Sequence, residues 1–444
     1  MAAAIHSYRQ ALAYIQGYPA YTPGQTGNWS LERLQGLLAR LGSPEKKFLS
    51  LLIAGTKGKG STAAISESIL RSAHYQTGLY TSPYLHSFRE SIRLDGEPIA
   101  EAEFLNVLRE LRSYFETTAG LTAFELTTAL ALFTFAHLGV DIAVLEVGLG
   151  GRLDATNVVA PTVAVITPIS YDHIQVLGQT LTAIATEKAG IVRDGALVIS
   201  APQVDEARRV IEQVCLERQA KLILVDRDWQ WQPGRSVLDG QTFTICEQIY
   251  HLPLLGNHQI TNAVTALAAL AGLRERAGVE ISNQAITHGL ASVMWPGRLE
   301  LLQRRPYVIL DSAMNGDSAE KLAGALVHYF GQRPVTFIFG ASHDHAVVDM
   351  LRVLLPLSER MMMTASTHRR AEQPENLVAM ADELGYMADS ASSPSLALDQ
   401  VLATATADTI ICVAGSLFLV AEVREAWLRR NGLKLPPLDP KDLY

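Results

Sequence analysis

Cysteine is almost absent from this sequence. The 444 residues include only three cysteines, Cys215, Cys246 and Cys412, and none of them belongs to a CxxC pair. Such spacing excludes a disulfide framework and a thiolate zinc site as the basis of the fold. It is typical of a protein from a reducing compartment, and we expect a cytoplasmic location.

Long hydrophobic runs are absent as well. The richest apolar stretch, residues 129–149, is interrupted by His137, Asp141 and Glu146. A membrane span of ~20 apolar residues would not tolerate these three side chains. Residues 1–16 lack the basic start, continuous apolar segment and cleavage site of a signal peptide. The sequence therefore predicts neither a membrane span nor a secretion signal.

An excess of positive charge is also lacking. The 37 Lys and Arg residues are outnumbered by 45 Asp and Glu residues, which gives a formal net charge of −8. This balance argues against a nucleic-acid partner, although a local basic pocket can still hold a nucleotide. With 48% hydrophobic and 18% charged residues, a chain of this length predicts a globular protein with two domains.

Short apolar runs alternate with amphipathic helical stretches along most of the chain. The runs are continuous in Val, Ile and Leu, which is typical of strands covered on both faces in a parallel sheet. The Trp-Pro-Gly segment at residues 295–297 ends the preceding helix and is the strongest boundary signal. We therefore predict an α/β fold with a nucleotide-binding domain over residues 1–296 and a smaller doubly wound domain over residues 297–444. The predicted strands cover residues 48–54, 77–80, 142–147, 163–167, 196–199 and 222–225 in the first domain and 307–310, 335–339, 360–364 and 409–413 in the second, with a hairpin patch at 229–251.

A glycine-rich segment, GTKGKGST at residues 55–62, lies between a predicted strand and a predicted helix. Its glycines allow backbone N–H groups to turn toward an anion, and the helix N-terminus adds its positive end. Lys59 is placed to reach the β- and γ-phosphates of a nucleotide, and Ser61 or Thr62 to approach a Mg²⁺ ion. The spacing departs from the Walker pattern because Gly60 stands between the lysine and the hydroxyl. A glycine-rich turn without a ligand is the alternative, but the order of strand, loop, lysine, hydroxyl and helix favours a phosphate loop.

Polar residues recur where the predicted strands end. They are Ser82, Glu146, Asp172, His173 and Asp311. In open parallel α/β sheets, ligands bind outside the carboxyl ends of the strands. We therefore expect these side chains to gather around the phosphate loop, with Glu146 as an oxygen ligand of Mg²⁺. A buried ion pair between Glu146 and Arg152 is the alternative.

Lys188 shares the apolar face of a predicted helix. Residues 180–189 predict a helix that Thr180 caps and Gly190 ends, with Ile184 and Lys188 on one side. Burial lowers the pKa of a lysine, and a neutral amine is nucleophilic toward CO₂. A carbamate formed in this way is a further anionic metal ligand, whereas an ion pair with a carboxylate is the structural alternative.

Amide and guanidinium groups at two further places are candidates for nucleotide contacts. Gln259 and Asn262 fall off the apolar stripe of a helix over residues 259–276 and offer amide hydrogen bonds. Arg298 stands just after the domain boundary, where an arginine can close onto a nucleotide phosphate when domains come together. A hinge-surface arginine is the alternative for Arg298.

Motifs spread over nearly the whole chain resemble those of the folylpolyglutamate synthase/dihydrofolate synthase family, within the Mur ligase superfamily. The motifs are AGTKGKGST (54–62), GLYTSPYL (78–85), TAFELTTA (122–129), EVGLGGRLDATN (146–157), ITPISYDH (166–173), EKAGI (187–191), HQITNA (258–263), PGRLE (296–300) and GSLFLVAEVR (415–424). Their order is that of the family, which is far more specific than one glycine loop. The resemblance implies a Mur-ligase-like ATP-binding domain with a mostly parallel sheet, followed by a Rossmann-like glutamate-ligase domain. It implies an ADP-forming ligase in which ATP phosphorylates a pteroate or folate carboxylate and the amino group of L-glutamate attacks the acyl phosphate.

The resemblance also implies roles for individual residues. The implied catalytic residues are Lys59, Glu146, His173 and Lys188, the last as a carbamylated lysine. The implied ATP-binding residues are Gly58, Lys59, Gly60, Ser61, Thr62, Asn262, Arg298 and Asp311. The implied metal ligands are Ser82, Glu146 and His173, and the implied folate-binding residues are Thr122, Phe124, Arg152, Leu153 and Asp154. The cofactors would be ATP, two Mg²⁺ ions and a monovalent cation, and the partners L-glutamate and a folate or dihydropteroate, in a monomer that binds neither nucleic acid nor membrane.

Three places depart from the family pattern. The usual loop Asp-Gly-Ala-His-Asn-Pro reads Asp-Ser-Ala-Met-Asn-Gly at residues 311–316, so that Met314 replaces a histidine. Residues 342–346 keep only part of the usual Asp-Lys-Asp run, and Lys57 replaces the usual asparagine. A catalytically weakened paralogue that binds nucleotide and pterin is therefore an alternative. A phosphotransferase with a similar loop is another, as is a peptidoglycan-type Mur ligase, which carries an extra domain before the phosphate loop, where this sequence has 54 residues before Gly55.

Overall fold

The computed structural model describes residues 5–19 and 30–440. The chain divides into two compact units, and both are discontinuous in sequence. The first unit consists of Met1–Gly234, Thr242–Leu252 and His258–Val293, and the second of Arg235–Gln241, Pro253–Asn257 and Met294–Tyr444. Two short segments therefore belong to the second unit although they precede its main part in the chain.

An eight-stranded sheet is central to the first unit. Its strands are β1 (Leu49–Ala54), β2 (Thr77–Tyr80), β3 (Ile92–Leu94), β4 (Glu97–Pro98), β5 (Ile142–Glu146), β6 (Val163–Ile166), β7 (Leu197–Ser200) and β8 (Lys221–Leu224). Their spatial order is β4-β3-β2-β5-β1-β6-β7-β8. In this spatial order, the neighbouring strands from β2 through β5, β1, β6 and β7 to β8 are all parallel. Strands β3 and β4 form an antiparallel edge next to β2. Strand β1 lies between β5 and β6, so the loops that follow these three strands emerge side by side.

A smaller sheet follows along the chain, built from β9 (Trp231–Val237), β10 (Gly240–Ile245) and β11 (Gln248–Leu252). The helices up to residue 293 are α1 (Tyr8–Gln16), α2 (Glu32–Arg40), α3 (Lys59–Ser72), α4 (Glu101–Glu116), α5 (Ala123–His137), α6 (Ile174–Leu177), α7 (Leu181–Ala189), α8 (Asp205–Glu217), α9 (Val225–Asp228), α10 (Asn257–Ala277) and α11 (Asn283–Ser292). Helix α3 is enclosed, and residues 61–70 within it are all buried. Small side chains such as Ala63 and Ala64 allow this close packing.

The second unit contains a six-stranded sheet. Its strands are β12 (Glu300–Arg304), β13 (Tyr307–Leu310), β14 (Val335–Phe339), β15 (Ser358–Met363), β16 (Asp389–Ser390) and β17 (Ile410–Ala414), in the order β12-β13-β17-β14-β15-β16. Only β12 is antiparallel to its neighbour. The helices are α12 (Gly316–Phe330), α13 (Val347–Leu354), α14 (Pro374–Glu383), α15 (Pro394–Thr404) and α16 (Leu417–Arg430). None of the helices that the structure describes, in either unit, is long and apolar enough to cross a membrane.

The predicted fold class, α/β with a mostly parallel sheet and a second doubly wound sheet, is confirmed. The short apolar runs became strands at or near the predicted positions, and most of these strands are buried throughout because both of their faces are covered. Strand β12 was not predicted, and its burial explains why. Four of its five residues are only partly buried and the fifth is exposed, so it lacks the apolar signal of the central strands.

Candidate active site

A phosphate-loop geometry joins β1 to α3. Gly55 and Gly58 both have positive φ angles, of 143° and 85°. A Cβ atom at Gly55 would overlap the side chain of Thr167, and one at Gly58 would overlap the amide oxygen of Asn262. Only glycine fits at these positions, so the loop backbone passes directly against its neighbours. Lys59 then begins α3, at the helix end whose N–H groups attract anions.

The first turn of α3 carries a hydroxyl group without a partner. Ser61 and Thr62 are 4% and 0% exposed, and Thr62 Oγ1 makes no hydrogen bond with any residue that the structure describes. Leaving a buried polar group unsatisfied costs roughly 1–3 kcal/mol. Gly60, between Lys59 and Ser61, has no side chain to cover this turn. The hydroxyl is therefore suited to a phosphate oxygen or a Mg²⁺ ion.

The phosphate loop is tied to the loop that follows β6. The backbone N–H groups of Thr56 and Lys57 donate to the Pro168 carbonyl oxygen, at 3.0 and 3.1 Å. The Thr56 hydroxyl donates to the Ser170 carbonyl oxygen and accepts from the Ser170 N–H, each at 3.1 Å. An ion pair between Lys57 Nζ and Asp172 Oδ2, at 3.4 Å, adds a third link. These contacts hold the loop with Asp172 beside the phosphate loop.

His173 follows in this second loop. It has a left-handed conformation, with φ of 48°, and it precedes the short helix α6. Its side chain is 57% exposed, and its Nε2 atom lies 3.9 Å from Asp172 Oδ1. The imidazole therefore has a solvent-accessible face on which a ligand can bind.

Glu146 ends β5 and contacts the segment that follows β2. The residue is 7% exposed, and Oε2 accepts a hydrogen bond from the Ser82 N–H at 3.2 Å. This contact follows from the parallel pairing of β2 with β5. Arg152, which the sequence offered as an alternative partner of Glu146, forms an ion pair with Glu187 at 2.8 Å.

Lys188 lies in α7 and points to the phosphate loop. Only 4% of the residue is exposed, and Nζ donates a hydrogen bond to the Gly55 carbonyl oxygen at 2.7 Å. Burial, together with the positive charge of Lys59, lowers the pKa of Lys188 from 10.5 to about 7, against the opposing charge of Asp172. Within residues 5–19 and 30–440, no carboxylate forms an ion pair with this amine. The alternative of an ion pair with a carboxylate therefore finds no support. Near pH 7, a large fraction of the molecules carries Lys188 as a neutral amine.

Asn262 is the amide that meets the phosphate loop. It lies on α10, is 4% exposed, and donates from Nδ2 to Gln259 Oε1 at 2.9 Å. Its Oδ1 atom is the one that a Cβ at Gly58 would overlap. The two amides, which the sequence placed off the apolar stripe, are both buried, and the phosphate loop lies against Asn262.

Phe124 forms an apolar wall near the start of α5. Its ring centre lies 6.3 Å from that of Tyr80, and a Cβ atom at Gly148 would lie 2.6 Å from Phe124 Cζ. A larger residue at position 148 would displace the ring, so the glycine allows this contact. Leu153, farther along the same loop, is partly buried, and Arg152 is exposed.

Asp154 is a buried carboxylate that shapes the loop after β5. Oδ2 accepts from the Leu149 N–H at 2.9 Å, and Oδ1 accepts from the N–H and the hydroxyl of Thr156 at 3.0 and 2.6 Å. Burial raises the pKa of Asp154, although these hydrogen bonds lower it. The group therefore stabilises the loop in addition to any ligand that it binds.

Thr122 caps α5. Its hydroxyl accepts from the Glu125 N–H at 3.2 Å, and the Glu125 carboxylate accepts from the Thr122 N–H at 2.9 Å. Arg33 then pairs with Glu125, with 2.9 Å between Nη2 and Oε1. Thr122 thus has a structural role in fixing the start of the helix that carries Phe124.

Arg298 and Asp311 lie in the second unit, on neighbouring segments. The two carboxylate oxygens of Asp311 accept from the N–H groups of Leu299 and Ala313, each at 2.9 Å. Desolvation raises the pKa of Asp311, whereas the charge of Arg298 lowers it. Met314 is partly buried in the same loop. Asp311 therefore stabilises the backbone next to Arg298.

The structure brings together several of the predicted residues within the first unit. Direct contacts join the phosphate loop to Asn262 and Lys188, and a separate contact joins Glu146 to Ser82. Among the described residues, no three His, Cys, Asp or Glu side chains form a metal cluster. That finding is compatible with Mg²⁺, which often uses one or two carboxylates together with phosphate and water oxygens.

Two ion pairs include glutamates to which the sequence analysis assigned no role. Glu187 pairs with Arg152, and Glu300 pairs with Arg424 at 3.0 Å. Both glutamates lie in recognisable motifs, but their partners are 35 and 124 residues away. No local pattern indicates a pairing over such a distance.

Two family models match separate parts of the chain. Residues 53–270 match the family model of the Mur ligase middle domain, and residues 297–417 match that of the Mur ligase, glutamate ligase domain. The dihydrofolate synthase/folylpolyglutamate synthase of Bacillus subtilis (strain 168) is 33% identical over 432 residues, which cover 94% of this chain and 99% of that protein. Its counterpart in Escherichia coli (strain K12) is 33% identical over 421 residues, which cover 92% of this chain and 94% of that protein.

Solved structures are similar over nearly the full length. The folylpolyglutamate synthase of Mycobacterium tuberculosis, complexed with ADP and AMPPCP, superposes with a TM-score of 0.84 at 31% identity, over 96% of this chain and 98% of that chain. Escherichia coli FolC in complex with DHPP and ADP superposes with a TM-score of 0.86 at 33% identity, over 97% and 100%. The chain therefore belongs to the dihydrofolate synthase/folylpolyglutamate synthase family of Mur ligases.

Proposed function

We propose that this protein is an ATP-dependent ligase that adds L-glutamate to a folate, to dihydropteroate or to both, and releases ADP and phosphate. The observation that carries the proposal is the convergence on one phosphate loop of Lys188, Asn262 and the unpartnered hydroxyl of Thr62. Relatives of nearly equal length bear the names of these synthases, and solved relatives contain ADP, AMPPCP or DHPP. In this proposal, residues 1–296 bind ATP and folate, and residues 297–444 form the glutamate-ligase domain.

ATP binding rests on the loop and the first turn of α3. The backbone N–H groups of Gly58 and Gly60 donate hydrogen bonds to phosphate oxygens, and Lys59 neutralises charge on the γ-phosphate. The hydroxyls of Ser61 and Thr62 are assigned to the phosphates and their metal ion. The remaining residues assigned to ATP are Asn262, Arg298 and Asp311.

Ser82, Glu146 and His173 are the residues that would hold Mg²⁺. They fit a magnesium site because a buried carboxylate ends a strand, and an imidazole with an accessible face follows another. When bound, Mg²⁺ neutralises negative charge on phosphate oxygens. Two Mg²⁺ ions and a monovalent cation are part of the proposal, and the dependence of activity on each ion tests this part.

Lys188 is assigned as the carbamylated residue. Its neutral amine attacks CO₂, a C–N bond forms, and one proton is released to solvent. Burial and the absence of an ion pair among the described residues keep the amine unprotonated often enough for this reaction. The product is an anion in a place where Lys57 and Lys59 supply positive charge.

The folate substrate is assigned to the region of Phe124 and the loop after β5. The apolar wall of Phe124 and Gly148 suits a flat aromatic ring, and Leu153 adds apolar surface. Arg152 and Asp154 are the polar residues of the same assignment. Thr122, which caps α5, contributes by fixing the position of Phe124.

The reaction would proceed in two steps. A carboxylate oxygen of the folate substrate attacks the γ-phosphorus of ATP and ADP leaves, which produces an acyl phosphate. The neutral amino group of L-glutamate then attacks the acyl carbon, and an amide bond forms as phosphate leaves and the nitrogen releases one proton to solvent. Lys59 stabilises the charge on the transferred phosphoryl group, a role for which preorganised cations are effective.

Phosphate release with ATP and L-glutamate tests the proposal, with dihydropteroate and tetrahydrofolate compared as acceptors. Release should require both glutamate and an acceptor, and mass spectrometry should find an acceptor with one more glutamyl residue. A phosphorylated acceptor without added glutamate would establish the phosphotransferase alternative. Nucleotide and pterin binding without turnover would establish the weakened paralogue, which Met314 in place of histidine favours.

A cytoplasmic monomer is also part of the proposal, and analytical ultracentrifugation tests the oligomeric state.

A further inference from the structure

Two carboxylates accept hydrogen bonds from the backbone on either side of Arg298. The Gly297 N–H donates to Glu300 Oε2 at 2.9 Å, and the Leu299 N–H donates to Asp311 Oδ2 at 2.9 Å. The Arg298 side chain itself stays available. Among the described residues, its one hydrogen bond is a 3.4 Å contact from Nη1 to the Gly297 carbonyl oxygen.

The backbone of this turn has a conformation that needs support. Gly297 has φ of 75°, and Leu299, which is 4% exposed, has φ of 46°. A left-handed conformation is unfavourable for a residue with a Cβ atom and persists where the surroundings fix it. Ser312 adds to this support, because its N–H and its hydroxyl both donate to the Gly297 carbonyl oxygen at 2.9 Å.

Arg424 on α16 holds Glu300 in place. Its Nε atom lies 3.0 Å from both carboxylate oxygens of Glu300, and the two side chains are only 16% and 20% exposed. Trp427 on the same helix donates from Nε1 to Gln303 Oε1 at 3.2 Å, which ties α16 to β12 a second time. Glu300 also accepts a hydrogen bond from the Gly297 N–H, so it links Arg424 to the turn.

The side chains of Arg298, Glu300 and Arg424 line one cavity of about 730 Å³ within the second unit. The ion pair thus lies in the same local structure as the arginine that the proposed function assigns to ATP. It contacts the backbone of the turn rather than the Arg298 guanidinium, so it does not neutralise that charge.

We propose that Glu300 and Arg424 are positioning residues, which hold the turn at residues 297–299 so that Arg298 binds a nucleotide phosphate. This inference rests on the proposed function, which supplies the nucleotide. A purely structural ion pair would stabilise the second unit without a specific effect on ATP. A positioning role predicts that loss of the ion pair raises the KM for ATP, whereas a purely structural role predicts a lower melting temperature with unchanged kinetics.

The primary variants are Arg424→Met, which removes the ion pair, and Glu300→Gln, which removes its charge with little change in shape. We expect the KM for ATP to rise roughly tenfold in each, while the KM values for glutamate and tetrahydrofolate stay within roughly twofold. Arg424→Lys keeps the charge without the planar guanidinium and should give an intermediate value. Arg429→Met is the matched control, because Arg429 lies on the same helix and pairs with Glu425 of that helix at 2.8 Å. Its kinetic constants should stay within roughly twofold of wild type.

A double-mutant cycle with Arg298→Ala decides between the two roles. If Arg424 acts through Arg298, then Arg424→Met should raise the KM for ATP no further in the Arg298→Ala background. Independent effects of the two substitutions would overturn the proposal, and so would an unchanged KM in Arg298→Ala. A lower melting temperature with wild-type kinetics in Arg424→Met and Glu300→Gln would also overturn it.

The proposed function can fail separately. A wild-type protein without ATP-dependent ligation would refute that function, and equilibrium binding of AMPPCP by the same variants would then measure the positioning effect directly. Loss of AMPPCP affinity in Arg424→Met that disappears in the Arg298→Ala background would support the positioning role. Equal losses in both backgrounds would refute it.

Discussion

Replacing Lys188 with methionine should stabilise the first unit and abolish activity. Burial and neighbouring charge lower the pKa of this lysine from 10.5 to about 7, so the folded protein disfavours the ammonium form that the unfolded chain retains. At about 1.4 kcal/mol for each tenfold change, the difference corresponds to roughly 5 kcal/mol. Methionine has a similar length and no charge, so it avoids this penalty.

The sign of the pH dependence follows from proton binding. Between pH 7 and pH 10.5 the unfolded chain holds a proton on Lys188 that the folded protein has released, so wild-type stability rises with pH across this window. The penalty is about 4 kcal/mol at pH 7 and about 2 kcal/mol at pH 9. Loss of the hydrogen bond to the Gly55 carbonyl oxygen offsets roughly 1–3 kcal/mol of the gain. Lys188→Met should therefore be more stable by about 2 kcal/mol at pH 7, and this difference should shrink by about 2 kcal/mol at pH 9.

Urea unfolding in CO₂-free buffer with a chelator, followed by circular dichroism from pH 6.5 to pH 9, measures this difference. Lys221→Met is the matched control, because Lys221 is 58% exposed and pairs with Glu275 on the surface of the same unit. Its effect should stay within about 0.5 kcal/mol and show no trend with pH. A stability difference for Lys188→Met that is independent of pH, or that widens as the pH rises, would refute the reasoning.

Three further substitutions test the site by steady-state kinetics and thermal melting. Lys59→Ala removes the cation at the start of α3, and phosphate release should fall by about 10²–10⁴, so near-normal turnover would contradict the phosphate-loop assignment. Gly58→Ala puts a Cβ atom onto the Asn262 amide at a positive φ, and the KM for ATP should rise by about tenfold or more with no matching rise for glutamate. Met314→His returns a hydrogen-bond donor to the loop after β13 and should lower the KM for ATP or raise kcat roughly fivefold. Unchanged kinetics with a lower melting temperature would mean that Met314 serves packing alone.

Features that depend on local chemistry could be predicted from the sequence. Strands β1 and β6 lie within one residue of their predicted bounds, because runs buried on both faces contain almost no polar residues. Helix α7 begins after Thr180, whose hydroxyl accepts from the Ala183 N–H at 3.1 Å, and it ends at Gly190 as predicted. The cap of α5 was not predicted, although Thr122 and Glu125 have the spacing of a capping box that could have indicated it.

Features that depend on distant pairing could not be predicted. The ion pair of Lys57 with Asp172 joins two loops that only the parallel order of β1 and β6 brings together. Sequence patterns show that each of these residues follows a strand, but they do not show which charges meet. The strain at Leu299 is likewise invisible in the sequence, because leucine gives no signal for a positive φ.

The unpartnered hydroxyl of Thr62 distinguishes it from other threonines that are buried in helices, although Thr364 Oγ1, outside the helices, also has no partner among the described residues. Thr134 and Thr265, which are also buried in helices, each donate to the carbonyl oxygen four residues earlier, at 2.7 Å. The corresponding carbonyl for Thr62 is that of Gly58, which accepts the Thr62 backbone N–H at 2.9 Å, while the hydroxyl does not bind it. The phosphate loop therefore contains an unsatisfied hydroxyl, and it is contacted by Lys188, a buried amine without a carboxylate partner among the described residues. One unpartnered hydroxyl does not by itself indicate a ligand, but its coincidence with a buried amine at one loop is a physical argument for a binding site that does not depend on the family resemblance.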